Sequence, residues 1–259
     1  MTNLTDLVDR LAAAESNRQP ISPLTDYHPG LSVDEAYEVE DQLIERRISR
    51  GEKVVGAKVG LTSKAKQHRM GVDVPIFGWL TDAMQLSTEE PLQTDVLLHP
   101  RVEPEIAFVL SETLSGPEIT AHDVLDATRW VCGGLEVIDS RYEDFRFRLP
   151  DVVADNTSAA RFSLGNLRVP PDRLELDMLG VLLEHGSKIV ASAAGAAVLG
   201  HPAAAAACLA NHLGNRGRAL EAGWVVLTGG LTDAVPLAAG SHVTATFAHL
   251  GTVAIHSCL

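Results

Sequence analysis

Aromatic residues are scarce in this chain of 259 residues: Phe, Tyr and Trp together make up 5%. Because 46% of the residues are hydrophobic, Val, Leu, Ile and Ala must build most of the core. Cysteine is scarcer still. Cys132, Cys208 and Cys258 are odd in number and show no CxxC spacing. That points away from a disulfide framework and from a thiolate zinc site, and it fits a reducing cytoplasm. Positive charge is in deficit: 21 Lys and Arg stand against 34 Asp and Glu, for a formal net charge of −13, and no basic run interrupts the acidity. Such a surface repels nucleic acid and anionic lipid. It also repels an anionic substrate, so an acid would need a metal ion or local Lys and Arg to reverse the field inside a site. No stretch approaches the ~18 uncharged apolar residues of a membrane span. The opening MTNLTDLVDRLAAAE carries Asp6, Asp9 and Glu15 and lacks the apolar centre of a signal peptide. The ten histidines include no HExxH pair, and the seven-residue recurrence of His242, His249 and His256 crosses an expected hairpin, where it has no geometric meaning.

What is present divides near residue 52. Leu4, Leu7, Val8 and Leu11 mark an amphipathic helix over 4–16. A linker from Gln19 to Gly30 precedes a second helix. There Ser32 and Glu35 form a capping box, Ala36, Val39, Leu43 and Ile44 continue the stripe, and Gly51 ends it. Residues 1–52 therefore read as a helical N-terminal segment and 53–259 as a β-rich domain. In the latter, VVGAKVGL reads as a strand, 62–71 as a short helix or loop, LLHPRVEPEIAFVL as a long strand, ITAHDVLDATRWV as a helix and GGLEVID as a short strand. SRYEDFRFRLPDVVADN reads as a loop, 161–169 and 175–185 as strands, 202–220 as an Ala-rich helix, and GSHVTATFAHLGTVAIHSCL as a hairpin turning at HLG. The fold class is α+β, dominated by sheet.

The strongest chemical feature is Arg101-Val-Glu103-Pro-Glu105-Ile-Ala-Phe-Val. Strand alternation puts Glu103, Glu105, Ala107 and Val109 on one face. Two adjacent carboxylates in an apolar strand repel each other and resist desolvation, and a divalent cation removes both penalties. Pro104 cannot donate to a ladder, which places it at a sheet edge or a bulge. Glu136 lies between Leu135 and Val137, too apolar a setting for a solvated carboxylate. Three carboxylates without His or Cys suit Mg²⁺ or Mn²⁺, with coordination positions left for a chelating 2-oxo acid. The bland alternatives are solvated carboxylates at 103 and 105, and a Glu136 paired with Arg101 or Arg141.

Lys58 stands in Gly56-Ala-Lys58-Val-Gly60. Burial and a nearby cation both lower an ammonium pKa, which makes Lys58 an acid–base candidate; a snorkelling edge lysine is the alternative. Ala154-Asp155-Asn156-Thr157-Ser158 reads either as a polar substrate contact or as an Asx-held turn. Thr228-Gly229-Gly230 ends the apolar run WVVL, and its backbone could either grip an anion or simply turn the chain.

The segments KVGLTSKAKQHRMGVDVPIFGWLTDAM, HPRVEPEIAFVL, LEVIDSRYEDFRF, DVVADNTS and TGGLTDAVPLAAGSHVTATFAHLGTV resemble, in that order, the hydratase and decarboxylase branch of the fumarylacetoacetate hydrolase superfamily. The resemblance spans nearly the whole chain. It implies a mixed β-sheet rolled into a partial barrel, and Mg²⁺ or Mn²⁺ held by Glu103, Glu105 and Glu136. It implies a catalytic Lys58, with Asp82 and Ser158 facing the substrate. Asn156, Arg161, Thr228 and Gly229 are the expected substrate contacts, with Arg161 for a second carboxylate; its alternative is a solvated strand-edge arginine. Two activities share this scaffold: decarboxylation of 2-oxo-3-hexenedioate and hydration of 2-hydroxypenta-2,4-dienoate. IFGWLTDAM and DSRYEDFRF followed by LPDVVADN lean toward the decarboxylase, for which Phe77, Trp79 or Phe162 would supply an apolar wall. A homo-oligomer and a complex with the hydratase are expected, and a non-catalytic scaffold subunit is the third alternative.

Overall fold

The computed structural model describes residues 4–64, 67–68, 72–87 and 90–259. Part of the segment expected as a short helix or loop at 62–71 lies outside the described residues. The N-terminal segment folds as its periodicity dictates. Helix α1 (Leu4–Asn17) buries Leu7, Val8 and Leu11. A single turn, α2 (Leu24–Tyr27), interrupts the linker. In α3 (Val33–Ser49) the capping box is complete: Ser32 Oγ accepts from the Glu35 N–H at 3.2 Å, and the Glu35 carboxylate accepts from the Ser32 N–H at 2.9 Å. Such a cap contributes about 1 kcal/mol. Arg46 pairs with Asp9 at 2.5 Å, and Arg47 with Glu15, tying α3 to α1. Apolar residues of both helices belong to the same core as the sheets.

The remaining chain forms two sheets. The strands are β1 (Val54–Gly60), β2 (Ile76–Thr81), β3 (Leu92–Gln93), β4 (Arg101–Leu110), β5 (Thr128–Ile138) and β6 (Ala159–Leu164), then β7 (Gly180–His185), β8 (Lys188–Ala194), β9 (Val225–Leu227), β10 (Val235–Pro236), β11 (His242–Phe247) and β12 (Gly251–Cys258). The first sheet runs β2-β1-β9-β4-β5-β6, with β10 also on β4; the second runs β3-β12-β11-β7-β8. The first is mixed, because β1 and β9 are parallel whereas β4 and β5 are antiparallel. It curls into a half-barrel. Past β2, Gln85 bridges to Phe162 of β6 and the Leu86 N–H donates to the Phe162 carbonyl at 2.7 Å. The interior is filled by a small apolar cluster that includes Leu80, Met84, Ala107, Cys132, Phe162 and Leu227. The helical segment completes the α+β architecture.

Several expectations are corrected. The helix foreseen over ITAHDVLDATRWV is only α4 (Ala121–Ala127), because Thr128 already begins β5. Thr128, Trp130 and Val131 are β-formers, and pairing with Leu110, Val109 and Phe108 overrides the helical period. The foreseen loop contains α5 (Leu149–Ala154), with Pro150 in its first turn. The strand placed at 161–169 is β6, which starts at Ala159 and stops at Leu164; that at 175–185 starts only at Gly180. Neither β2 nor β8 was foreseen. The Ala-rich helix α6 is Pro202–Asn215, shorter than 202–220. The closing hairpin forms as expected, with His249 at positive φ in its turn. Pro104 lies on neither an edge nor a bulge: β4 is interior, and Pro104 faces Leu135 in register. On its other side the ladder is broken between β9 and β10, where the Leu231 N–H reaches the Pro104 carbonyl at 2.9 Å. The missing proline N–H is tolerated at that break.

Candidate metal centre and active site

Strand register assembles the site. Glu103 of β4 faces Glu136 of β5 directly, and Glu105 lies two residues along on the same face. Carboxylate oxygens of the three lie within 4.8 Å of one another. Glu105 and Glu136 are fully buried and Glu103 is 7% exposed, so the solvated alternative fails. Burial, with Glu136 and Glu103 close by, holds the Glu105 carboxyl well above the usual carboxylate range. Burial raises Glu136 too, although Lys58 opposes it.

Lys58 enters from β1, an interior strand between β2 and β9, so it is not a snorkelling edge lysine. It is 2% exposed, and its Nζ stands 2.9 Å from Glu136 Oε2. It also donates to the Thr157 carbonyl at 3.2 Å. With no cation bound, the fall in its pKa that burial alone would bring is offset. Burial does work against the charge, but Glu136, Glu105 and Glu103 outweigh it and push the ammonium pKa up. Glu136 therefore pairs with Lys58, not with Arg101 or Arg141.

Among the described residues, the Lys58 ammonium pairs with Glu136 alone. Among them too, Glu105 Oε1 and Glu136 Oε1 are buried without a hydrogen-bond partner, a costly arrangement that a cation would relieve. The loop after β9 is shaped around the same oxygens. The Gly229 N–H donates to Glu105 Oε2 at 2.7 Å, with Gly229 at φ 109. A Cβ on Gly230 would come within 2.0 Å of Glu103 Oε2. The donor set, all hard oxygen with orphaned lone pairs, fits Mg²⁺ or a similar divalent cation.

Beside this cluster opens a cavity of about 420 Å³, within the ordinary range for small-molecule sites. Lys58, Glu103, Arg101, Thr157 and Ser158 give it polar groups, and Leu61, Ile76, Ile138, Val152, Phe145 and Phe147 give it apolar walls. Phe77 and Trp79 do not line it. Alternation along β2 turns them away from Ile76 and Gly78 into the core shared with the helices, while Phe162 lies deeper in the half-barrel.

The other expected residues divide. Ser158 lines the cavity, and its hydroxyl lies 3.5 Å from Asp155 Oδ2. Asn156 spends both ends of its amide on β2: Oδ1 accepts from the Trp79 N–H at 2.7 Å, and Nδ2 donates to the Trp79 carbonyl at 3.0 Å. It holds the wall and does not reach the cavity. Asn156, Thr157 and Ser158 are consecutive non-glycine residues at φ 49, 51 and 58, a strained run of the kind that clusters at functional sites. Thr228 donates its hydroxyl to the Ile106 carbonyl at 2.8 Å, and Gly229 holds Glu105, so both act on the frame of the cluster. Asp82 is not brought in. Lys58 is paired with Gly78, and Asp82 lies beyond the end of β2, exposed, accepting from the Lys53 N–H at 2.9 Å. Arg161 is also turned away. It pairs with Val137, the neighbour of Glu136, and so faces Glu15 and Arg47 on the opposite side of the sheet. What the sequence reading missed is Arg101 as a cavity residue, although the period of two that grouped Glu103 with Glu105 also reaches Arg101.

The curled sheet, its carboxylate triad and the apolar cavity define a class that comparison makes explicit: residues 54–256 match the family model of the fumarylacetoacetate hydrolase C-terminal domain, and the chain belongs to this family. Within it, the chain is 43% identical over 247 residues to the 4-oxalocrotonate decarboxylase of Pseudomonas sp. (strain CF600), covering 95% of this chain and 94% of that one. It is 42% identical over 217 residues to a 2-hydroxypent-2,4-dienoate hydratase of Pseudomonas putida, covering 83% and 98%. Among solved structures, the 4-oxalocrotonate decarboxylase from Pseudomonas putida G7, complexed with magnesium and adipate, superposes with a TM-score of 0.95 at 39% identity, covering 99% and 98%.

Proposed function

We propose that this chain is a divalent-metal-dependent carboxy-lyase that converts 2-oxo-3-hexenedioate (4-oxalocrotonate) to 2-hydroxypenta-2,4-dienoate and CO₂, a step in the meta-cleavage of aromatic compounds. The observation that carries this reading is a buried triad of carboxylates with orphaned oxygens, joined to Lys58 at the side of an apolar cavity. Glu103, Glu105 and Glu136 would hold Mg²⁺ or Mn²⁺. When bound, the cation supplies Lewis-acid stabilisation of the charge that develops on the substrate's C2 oxygen.

The chain's own groups do the rest. The C5–C6 bond breaks, its electron pair shifts through C4 and C3 to the C2 oxygen, and a proton must arrive there to give the enol product. Lys58 Nζ, 2.9 Å from Glu136 Oε2 at the side of the cavity, is the group placed to hold that proton. Leu61, Ile76, Ile138 and Val152 exclude water from the carbon chain between the two carboxylates, where the charge of the dienolate develops. Thr157 fixes the wall, because its hydroxyl donates to the Phe77 carbonyl at 2.6 Å and its own carbonyl receives Lys58.

The test is to give the purified protein and Mg²⁺ first 2-oxo-3-hexenedioate and then 2-hydroxypenta-2,4-dienoate. CO₂ release from the first supports the reading. Hydration of the second without CO₂ release replaces it with the hydratase, as the hydratase relatives would have it. No turnover of either by the isolated chain points to the scaffold reading. We further propose a cytoplasmic homo-oligomer that associates with the hydratase consuming its product. Edge strand β8 supports assembly by exposing Ile189 and Val190, and co-elution with that hydratase is the check.

A further inference from the structure

We infer that Arg101 selects a dicarboxylic substrate by binding the carboxylate distal to the triad. The inference rests on the proposed reaction only for the identity of the diacid. Its basis is the placement and solitude of one side chain. Arg101 opens β4 two residues before Glu103, and alternation turns both toward the same cavity. Among the described residues its guanidinium meets no carboxylate. Its recorded side-chain contact is with the ring of Phe145, whose centroid lies 4.3 Å from Cζ. In a chain of net charge −13, a cation without an acidic partner inside a cavity is unusual. Stacking on Phe145 holds the planar group by its face and leaves its N–H edge for a carboxylate, which it can grip with two parallel hydrogen bonds.

The spacing suits a six-carbon diacid. Residues i and i+2 of a strand stand ~7 Å apart. An extended chain advances ~3.5 Å per three bonds, so the five bonds from C1 to C6 span ~6 Å. A molecule with its 2-oxo acid end at the triad therefore directs its other carboxylate toward the Arg101 end of β4. The triad itself cannot hold that end, since three carboxylates repel it. Asp233 on the rim is also acidic, which leaves Arg101 and Lys58 as the cavity's cations among the described residues. Lys58 is committed to Glu136 and Thr157. A five-carbon 2-oxo monoacid has no group for Arg101 to grip, so the residue discriminates between the two substrate lengths.

The experiment compares two ligands on the Mg²⁺-loaded protein by titration calorimetry: adipate, with a distal carboxylate, and 2-oxopentanoate, without one. Arg101→Gln is expected to weaken adipate binding about ten- to a hundredfold, with a matching rise in KM for the hexenedioate substrate. The same variant should change the affinity for 2-oxopentanoate by less than about threefold, since that ligand has no distal charge to lose. Arg101→Lys, which keeps the charge but loses the fork, should recover part of the loss. Equal weakening of both ligands would show that Arg101 only shapes the cavity, and unchanged adipate binding would remove it from recognition altogether. If the wild-type protein releases no CO₂ from the diacid, the proposed reaction fails, yet the ratio of the two affinities still decides the role of Arg101.

Discussion

Two buried ion pairs, Arg141–Asp155 and Lys58–Glu136, are built on opposite principles. Arg141 and Asp155 form a closed set of charges and hydrogen bonds. The guanidinium donates through Nε to Asp155 Oδ1, through Nη1 to the Asp139 carbonyl at 2.8 Å, and through Nη2 to the Asp155 carbonyl. The Arg141 N–H reaches Asp155 Oδ2 at 3.1 Å. Lys58 and Glu136 form an open one: among the described residues the ammonium of Lys58 stands beside the carboxylate triad, and Glu105 Oε1 and Glu136 Oε1 lack hydrogen-bond partners. A satisfied pair fixes a structure, here the strained turn that follows Asp155. An unsatisfied one leaves a demand that a proton or a bound cation meets. Burial alone does not separate the two, since all four side chains are 7% exposed or less. Stoichiometry and orphaned atoms do.

The sharpest way to break the contrast is to remove charge from the open cluster. Glu105→Gln should abolish tight Mg²⁺ binding and lower kcat/KM about 10³-fold, the upper scale for losing electrostatic stabilisation of developing charge. The variant should also fold at least as well without metal, because like charge is relieved. EDTA should reproduce the loss in the wild type, and added Mg²⁺ should restore it. Full turnover by metal-free protein would end the metal reading. The closed pair should respond in reverse. Arg141→Met leaves Asp155 buried without its cation, so stability should fall by about 3–5 kcal/mol in denaturant unfolding. Mg²⁺ affinity measured well below the unfolding midpoint should change little. Loss of Mg²⁺ affinity with intact stability would dissolve the distinction.

Lys58→Met tests the other half of the open cluster. It should lower kcat about 10²-fold, the scale of a lost acid–base group, while leaving Mg²⁺ bound. Tighter metal binding is the expected sign, because the ammonium competes with the cation for Glu136. A variant with near wild-type kcat would reduce Lys58 to a counterion.

How much of this was legible in the sequence follows from which forces act locally. The period of two along β4 grouped Glu103 with Glu105, the apolar flanks of Glu136 signalled burial, and the glycines around Lys58 signalled close approach. Register across strands was not legible. The pairing of Lys58 with Gly78 leaves Asp82 out of reach, and that of Arg161 with Val137 turns it to the wrong face. A side chain's face depends on its partner strand as much as on its own sequence. Strand β2 was missed because IFGWLT is buried throughout and shows no alternation. The 156–158 turn was legible as a turn, but not as the wall of a cavity, since the contacts of Asn156 and Thr157 with β2 are made across some eighty residues of sequence.

A half-buried ionisable group sharpens the comparison by a different solution, which is to carry no charge. His212 on α6 lies between the rings of Tyr37 and Phe77, each centroid 4.5 Å away. Burial, aided by Arg216, pushes its pKa down from 6.5 to about 4, against the weaker pull of Asp41 and Asp34. The sign of the consequence follows from proton counting. Between these two values the unfolded chain binds the proton and the folded chain does not, so stability is complete above pH ~6.5 and declines as pH falls toward ~4. The ring is only partly shielded from water, and screening holds the effect below about 1 kcal/mol. His212→Gln should therefore flatten the fall in Tm between pH 6.5 and 4 relative to the wild type, after each is referred to its own Tm at pH 8. Parallel curves for the two proteins would mean that His212 titrates alike folded and unfolded. In that case His212 would supply no neutral counterpart to the closed and open pairs.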